Sequence, residues 1–268
     1  MENKIKIMII ITRMIKGGAQ NYALSVYRSL DREKYEITFI SGPPDGPEGD
    51  YLPELKALGL DFIIIPSLTR DIHPVRDLKA LLKICALIRQ VNPAIVHTHT
   101  SKAGVLGRIA AGILKVPVLI HQPHGLAMGE LWQVLDVPQN PFIRRSLIIL
   151  EKILAKSTDK FITYTEIETK EHLRYGIGKK GQFVTIPYGI DLKEFYKNIS
   201  GMMRESPENH SPKIGTVGRL VTSKGCRYLI EAIALVKRSF PNIKLFIVGG
   251  GFLRNELEGL ANNLSLTD

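Results

Sequence analysis

The chain has two cysteines, Cys85 and Cys226, and one tryptophan among 268 residues. Two cysteines cannot build a disulfide framework, and no Cys/His cluster has the spacing of a zinc site. Both cysteines fall in helical patterns and read as buried packing residues. Long apolar runs are missing. Runs such as Ile7 to Ile11 are far short of the roughly 18–20 residues that a membrane span needs. Met1-Glu2-Asn3-Lys4 passes straight into a strand pattern, without the apolar stretch of a signal peptide. A soluble, cytoplasmic protein is expected. There is no basic tail and no Lys/Arg run, which argues against a nucleic-acid partner.

What is present is an ordinary globular composition, 44% hydrophobic, with a net charge of +10 spread along the chain. Distributed positive charge suits anionic small ligands such as phosphates, or an anionic membrane surface. It also serves solubility alone.

Short apolar runs alternate with helical patterns. Strands are expected at 4–11, 36–41, 61–66, 94–97, 116–121, 160–165 and 183–187. Helices are expected at 20–30, 52–58, 74–91, 102–114, 141–156 and 166–175. Such alternation predicts parallel βαβ units and a doubly wound α/β domain. The polar stretch 198–212 reads as a linker. After it come strand 213–217, helix 226–239, strand 243–248 and helix 252–264. The expected architecture is therefore a first α/β domain over 1–197 and the first two βα units of a second over 213–268.

The candidate chemistry lies where strands hand over to helices. Gly17-Gly18 follows the first strand, a place where backbone N–H groups can meet an anion. A dinucleotide fingerprint would need G-x-G-x-x-G there and an acidic residue closing the second strand, which instead ends Phe39-Ile40-Ser41-Gly42. A Walker loop is absent too. The fourth strand runs into His97-Thr98-His99, followed by Lys102 and Arg108. The two histidines share a face, but no third metal ligand lies close in sequence. The fifth strand leads to His124-Gly125. Beyond the linker, Arg219 and Lys224 sit five residues apart on a loop. A guanidinium fork and an ammonium so placed can clamp a diphosphate. Gly249-Gly250-Gly251 offers another close backbone approach. The helix at 141–156 carries Arg144, Arg145, Lys152 and Lys156 beside Phe142 and Ile153, a pattern that fits an anionic membrane or a core-packed helix with a wet face.

In this order the motifs resemble family 4 glycosyltransferases. The pieces are Gly17-Gly18-Ala19-Gln20, His97-Thr98-His99, Lys102-Ala103-Gly104 with Gly107-Arg108, His124-Gly125, Pro187-Tyr188-Gly189-Ile190-Asp191, Val217-Gly218-Arg219-Leu220 with Lys224-Gly225, and Gly249-Gly250-Gly251. The resemblance implies the GT-B fold of two Rossmann-like domains. It implies transfer of a hexosyl group from a nucleotide-diphosphate sugar, with retention and without a metal or other cofactor. Arg219, Lys224 and the amides of Gly17 and Gly18 would hold the diphosphate. His124 would meet the donor sugar as the catalytic residue, and Gly249, Gly250 and Gly251 would approach the nucleotide. His99, Lys102 and Arg108 would face the cleft from the acceptor side. The acceptor implied is a glycan or lipid-linked sugar of the cell surface; peripheral contact with an anionic membrane is the expectation if the basic helix at 141–156 lies on one.

One departure is plain: no glutamate is followed by another eight residues later, so the family's E-x7-E element is missing. This suggests a C-terminally truncated glycosyltransferase. The other readings are a non-catalytic or partner-dependent acceptor-binding fragment, or a nucleotide-sugar epimerase of the same fold.

Overall fold

The computed structural model describes residues 4–46, 49–57, 59–60, 62–125, 141–190, 192, 196 and 212–266. Seven parallel strands form one sheet: β1 (Ile5–Ile11), β2 (Tyr35–Ser41), β3 (Phe62–Ile64), β4 (Ile95–His99), β5 (Val118–Gln122), β6 (Lys160–Thr163) and β7 (Phe183–Thr185). Their order is β3-β2-β1-β4-β5-β6-β7. The helices between them are α1 (Gly18–Ser29), α2 (Leu52–Ala57), α3 (Pro74–Val91), α4 (Ser101–Ile113), α5 (Pro141–Ala155) and α6 (Glu166–Arg174). Chain direction across the sheet reverses between β1 and β4, the switch point at which such sheets bind ligands.

Isoleucine-rich β1 sits in the middle because both its faces are covered. Met8 and Ile10 join Ile84, Ile88 and Ala110 on the side of α3 and α4. Ile7, Ile9 and Ile11 join Ala23, Leu24 and Tyr27 of α1 on the other. Met8, Ile9, Ile10 and Ile11 are fully buried, each worth about 1.5–3 kcal/mol.

Helix α4 lies close to the sheet because two of its three glycines face it. A Cβ on Gly104 would stand 2.4 Å from the His121 ring, and one on Gly107 would stand 2.6 Å from the Thr98 methyl. These glycines of the sequence motif are thus packing devices. Ser101 does not cap α4. Thr12, at the end of β1, accepts from Ala103 N at 3.0 Å and bonds the Thr100 hydroxyl at 2.7 Å.

The described residues 4–125 and 141–189 belong to the first compact unit. Ile190 and the described residues after it belong to the second unit. The expected linker, apart from Pro212, lies outside the described residues. The second unit pairs β8 (Lys213–Val217) with β9 (Lys244–Val248) in parallel and adds α7 (Cys226–Val236) and α8 (Arg254–Asn263). Its small core holds Leu220, Cys226, Ile230 and Leu257. Both expected cysteine positions are buried.

Candidate functional site

Strands β4, β5 and β6 deliver polar side chains to the carboxyl edge of the first sheet. β4 runs two residues further than the sequence pattern suggests and carries His99 inside the strand. The rings of His97 and His99 lie 4.1 Å apart, centroid to centroid. His99 Nδ1 is 2.8 Å from His124 Nε2, and His124 Nδ1 is 2.5 Å from the Tyr164 hydroxyl. Tyr22, from α1, lies edge-on to His124 and Tyr164 at 5.8 and 5.3 Å and contacts Tyr188 at 5.4 Å. Tyr188 in turn donates to the Gly18 carbonyl at 3.1 Å.

The backbone at this edge is held in uncommon conformations. Thr100 has φ 63° and His124 φ 61°, and Gly125 follows with φ 133°. Positive φ at non-glycine residues is costly and persists only where surroundings enforce it. Glu168 does so at His124-Gly125. Buried near the start of α6, it accepts from Gly125 N at 3.2 Å through Oε1 and from Tyr164 N at 2.8 Å through Oε2. Thr165 caps the same helix by accepting from Glu168 N at 3.2 Å.

The cluster is uncharged. Burial lowers His97 to about 4 and, with charge at His97 adding to it, His124 to about 3. Burial also pushes His99 and His121 well below the ordinary imidazole range. Burial, reinforced by Tyr22 and Tyr188, raises the Tyr164 phenol. At neutral pH these groups are therefore hydrogen-bonding dipoles. A donating Tyr164 phenol puts the His124 hydrogen on Nε2, which then donates to His99 Nδ1. Among the described residues no group of three or more His, Cys, Asp or Glu could hold a metal ion.

The other expected site residues fall elsewhere. Arg108 does not face a cleft. It is fully buried, donating from Nε to the Gly104 carbonyl at 2.9 Å and from Nη2 to both Glu151 oxygens at 2.6 and 2.7 Å. The residue staples α4 to α5. Lys102 is tied to Asp77 of α3 at 2.6 Å and donates to the Asp71 carbonyl, with 10% of its side chain exposed. Gly17 caps α1 in extended backbone, and around Gly18 there is open space where a side chain would stand. In the second unit, Arg219 and Lys224 are exposed, and Lys224 closes a short 3-10 turn at Thr222–Lys224. Gly249 (φ 154°) and Gly251 (φ 158°) press on the backbone of Gly218 and Leu220, where a Cβ would stand 1.9 and 2.3 Å from the carbonyl oxygens. Their immediate reason is thus the packing of two loops. Helix α5 buries only Leu154 and Ala155, less than a core-packed helix would.

Sequence reasoning missed Tyr22, Tyr164 and Glu168. A signal existed for the last: Thr165-x-x-Glu168 at a strand end is a helix-start pattern. Tyr22 and Tyr164 had none, since each reads as one aromatic in an apolar segment.

The sequence model described as Glycosyltransferase Family 4 matches residues 16–194, and the one described as Glycosyl transferases group 1 matches 202–268. The Escherichia coli UDP-Gal:alpha-D-GlcNAc-diphosphoundecaprenol alpha-1,3-galactosyltransferase is 29% identical over 262 residues, covering 96% of this chain and 65% of that protein. The Staphylococcus aureus capsular polysaccharide biosynthesis glycosyltransferase CapM is 26% identical over 76% of this chain and 53% of its own length. The chain thus spans about half to two-thirds of these relatives. The fold matches Anabaena HepE, solved in complex with UDP, at TM-score 0.67 and 17% identity, over 98% of this chain and 67% of that one. With most of its first unit and the described strands and helices of its second accounted for in this way, the chain belongs to Glycosyltransferase Family 4.

Proposed function

We propose that the protein takes part in transferring a hexosyl group from a nucleotide-diphosphate sugar to a lipid-linked or glycan acceptor, in cell-surface polysaccharide synthesis. The observation that carries this reading is the uncharged His99–His124–Tyr164 chain walled by Tyr22 and Tyr188. Neutral donors and acceptors beside aromatic faces suit a polyhydroxylated ring, whose hydroxyls need partners and whose C–H faces need apolar contact.

In this reading His124 binds the donor sugar. Both its ring nitrogens are engaged, so a sugar hydroxyl takes the place of the Tyr164 hydroxyl at Nδ1, while buried His99 keeps the imidazole in position from Nε2. His124 acts as a neutral hydrogen-bonding group and not as an acid. Arg219, Lys224 and the amides at Gly17 and Gly18 take the diphosphate. Fixed positive charge there stabilises the charge that grows on the leaving nucleoside diphosphate, so the reading needs no divalent metal. Gly249–Gly251 shapes the nucleotide side, and anomeric configuration is retained. Lys102 and His99 lie on the acceptor side.

The relative named for an undecaprenol-linked sugar and the one named for capsular polysaccharide biosynthesis support a lipid-linked or glycan acceptor, and with such an acceptor the proposed place of work is the cytoplasmic face of a membrane. Among the described residues no helix is long and apolar enough to cross one; the contact proposed is peripheral. Calorimetric titration with a panel of nucleotide sugars tests the reading. Binding of at least one nucleotide sugar more tightly than its bare nucleoside diphosphate is expected. Equal or absent binding across the panel would refute it.

A further inference from the structure

Helix α3 has two unlike faces. Ala80, Ile84, Cys85, Leu87 and Ile88 are buried against the sheet. The opposite face should be polar on an ordinary surface helix, yet Val75, Leu78 and Leu82 stand 58%, 56% and 60% exposed, and Ile72 just before the helix is 79% exposed. The spacing of 75, 78, 82 and 86 makes one stripe along the helix, ending at exposed Ala86. Arg76, Lys79 and Lys83, each following an apolar residue of the stripe, form an exposed cationic row beside it. The only carboxylate in the helix, Asp77, is turned to Lys102 and the His73 amide. The outer face is therefore apolar and cationic, with no anion of its own.

We propose that this face of α3 is the surface by which the protein docks on an anionic lipid bilayer. The stripe would enter the boundary between headgroups and acyl chains, and the lysine and arginine row would lie on lipid phosphates. Charge complementarity selects this occupant. A second copy of the chain would bring the same cations against each other, and an uncharged partner would leave them unanswered. The inference rests on the peripheral contact proposed above and names its location as α3, where the sequence pattern offers α5 as either a membrane face or a core-packed helix.

Sedimentation with phosphatidylcholine vesicles, with and without phosphatidylglycerol, tests it on the full chain. The wild type should bind only the vesicles with phosphatidylglycerol, and less in high salt. Lys79→Gln with Lys83→Gln should weaken binding about 25-fold, at roughly fivefold per cation. Leu78→Gln with Leu82→Gln should abolish it. Because these side chains point to solvent, thermal melting should not change. Ile149→Gln with Ile153→Gln, on the exposed side of α5, should leave binding intact. If the wild type binds but only the α5 pair loses binding, the assignment to α3 fails while peripheral contact stands. If the wild type binds neither vesicle, both fail. A dimer that Leu82→Gln dissociates, with vesicle binding unaltered, would also overturn the proposal.

Discussion

Arg108 offers a sharp test, because the sequence motif places it among cleft residues and the structure places it in the core. Its guanidinium is fully buried and shares both oxygens of Glu151, whose side chain is 13% exposed. Glu151→Leu would leave a buried cation without its anion. Breaking such a pair by removing one partner costs about 3–5 kcal/mol. For a domain of this size each kcal/mol moves the midpoint by about 2–4 °C, so melting should fall by roughly 6–20 °C. The double variant Arg108→Met with Glu151→Leu should recover most of that loss. It replaces both charges by apolar groups, and it removes Arg108 Nη1, which is buried with no partner among the described residues. Circular dichroism melts of the wild type and the two variants measure this, with nucleotide-sugar affinity read on the same samples. Full thermal stability in Glu151→Leu would refute the stapling role. A stable double variant that no longer binds nucleotide sugar would return Arg108 to the site.

Three further outcomes follow from the same geometry. Gly104→Ala should destabilise by about 1–3 kcal/mol in urea unfolding, because its methyl meets the His121 ring; Gly18→Ala, in open space, should leave stability alone but weaken nucleoside diphosphate binding. Stability should fall on acidification: folded His97 titrates near 4 against 6.5 unfolded, so below 6.5 the unfolded chain binds more protons, and urea midpoints at pH 5 should show a loss on the order of 2 kcal/mol per buried imidazole. A flat profile between pH 7 and 5 would contradict buried neutral histidines. Tyr164→Phe should not weaken nucleotide-sugar binding, since it removes the competitor for His124 Nδ1; a tenfold loss by calorimetry would make Tyr164 a positioning residue instead.

Much of the fold was legible because each element announces itself locally. The isoleucine run of β1, the Pro74 start of α3 and the small residues of α4 are properties of neighbouring residues, and the described elements fall within a few residues of expectation. The doubly wound order follows from the alternation itself. What could not be read are contacts between distant residues. Glu151 lies forty-three positions from Arg108, so no local pattern tells a buried arginine from a cleft arginine. Likewise Tyr164 and Tyr22 acquire a role only once β5, β6 and α1 converge on His124. In the sequence Gly249–Gly251 reads as a backbone approach to a ligand, and Gly104 and Gly107 only as pieces of a motif; the structure sets Gly249 and Gly251 against this chain's own backbone and Gly104 and Gly107 against its side chains.

The central claim is that His124 meets the sugar while the diphosphate is held elsewhere. Calorimetric titration of wild type and His124→Ala with a nucleotide sugar and with its bare nucleoside diphosphate tests it directly. The account predicts that the variant keeps its fold and its nucleoside diphosphate affinity, and loses about tenfold for the nucleotide sugar, the worth of one hydrogen bond near 1.4 kcal/mol. Equal affinity of wild type and variant for the nucleotide sugar, or an equal loss for both ligands, would contradict it.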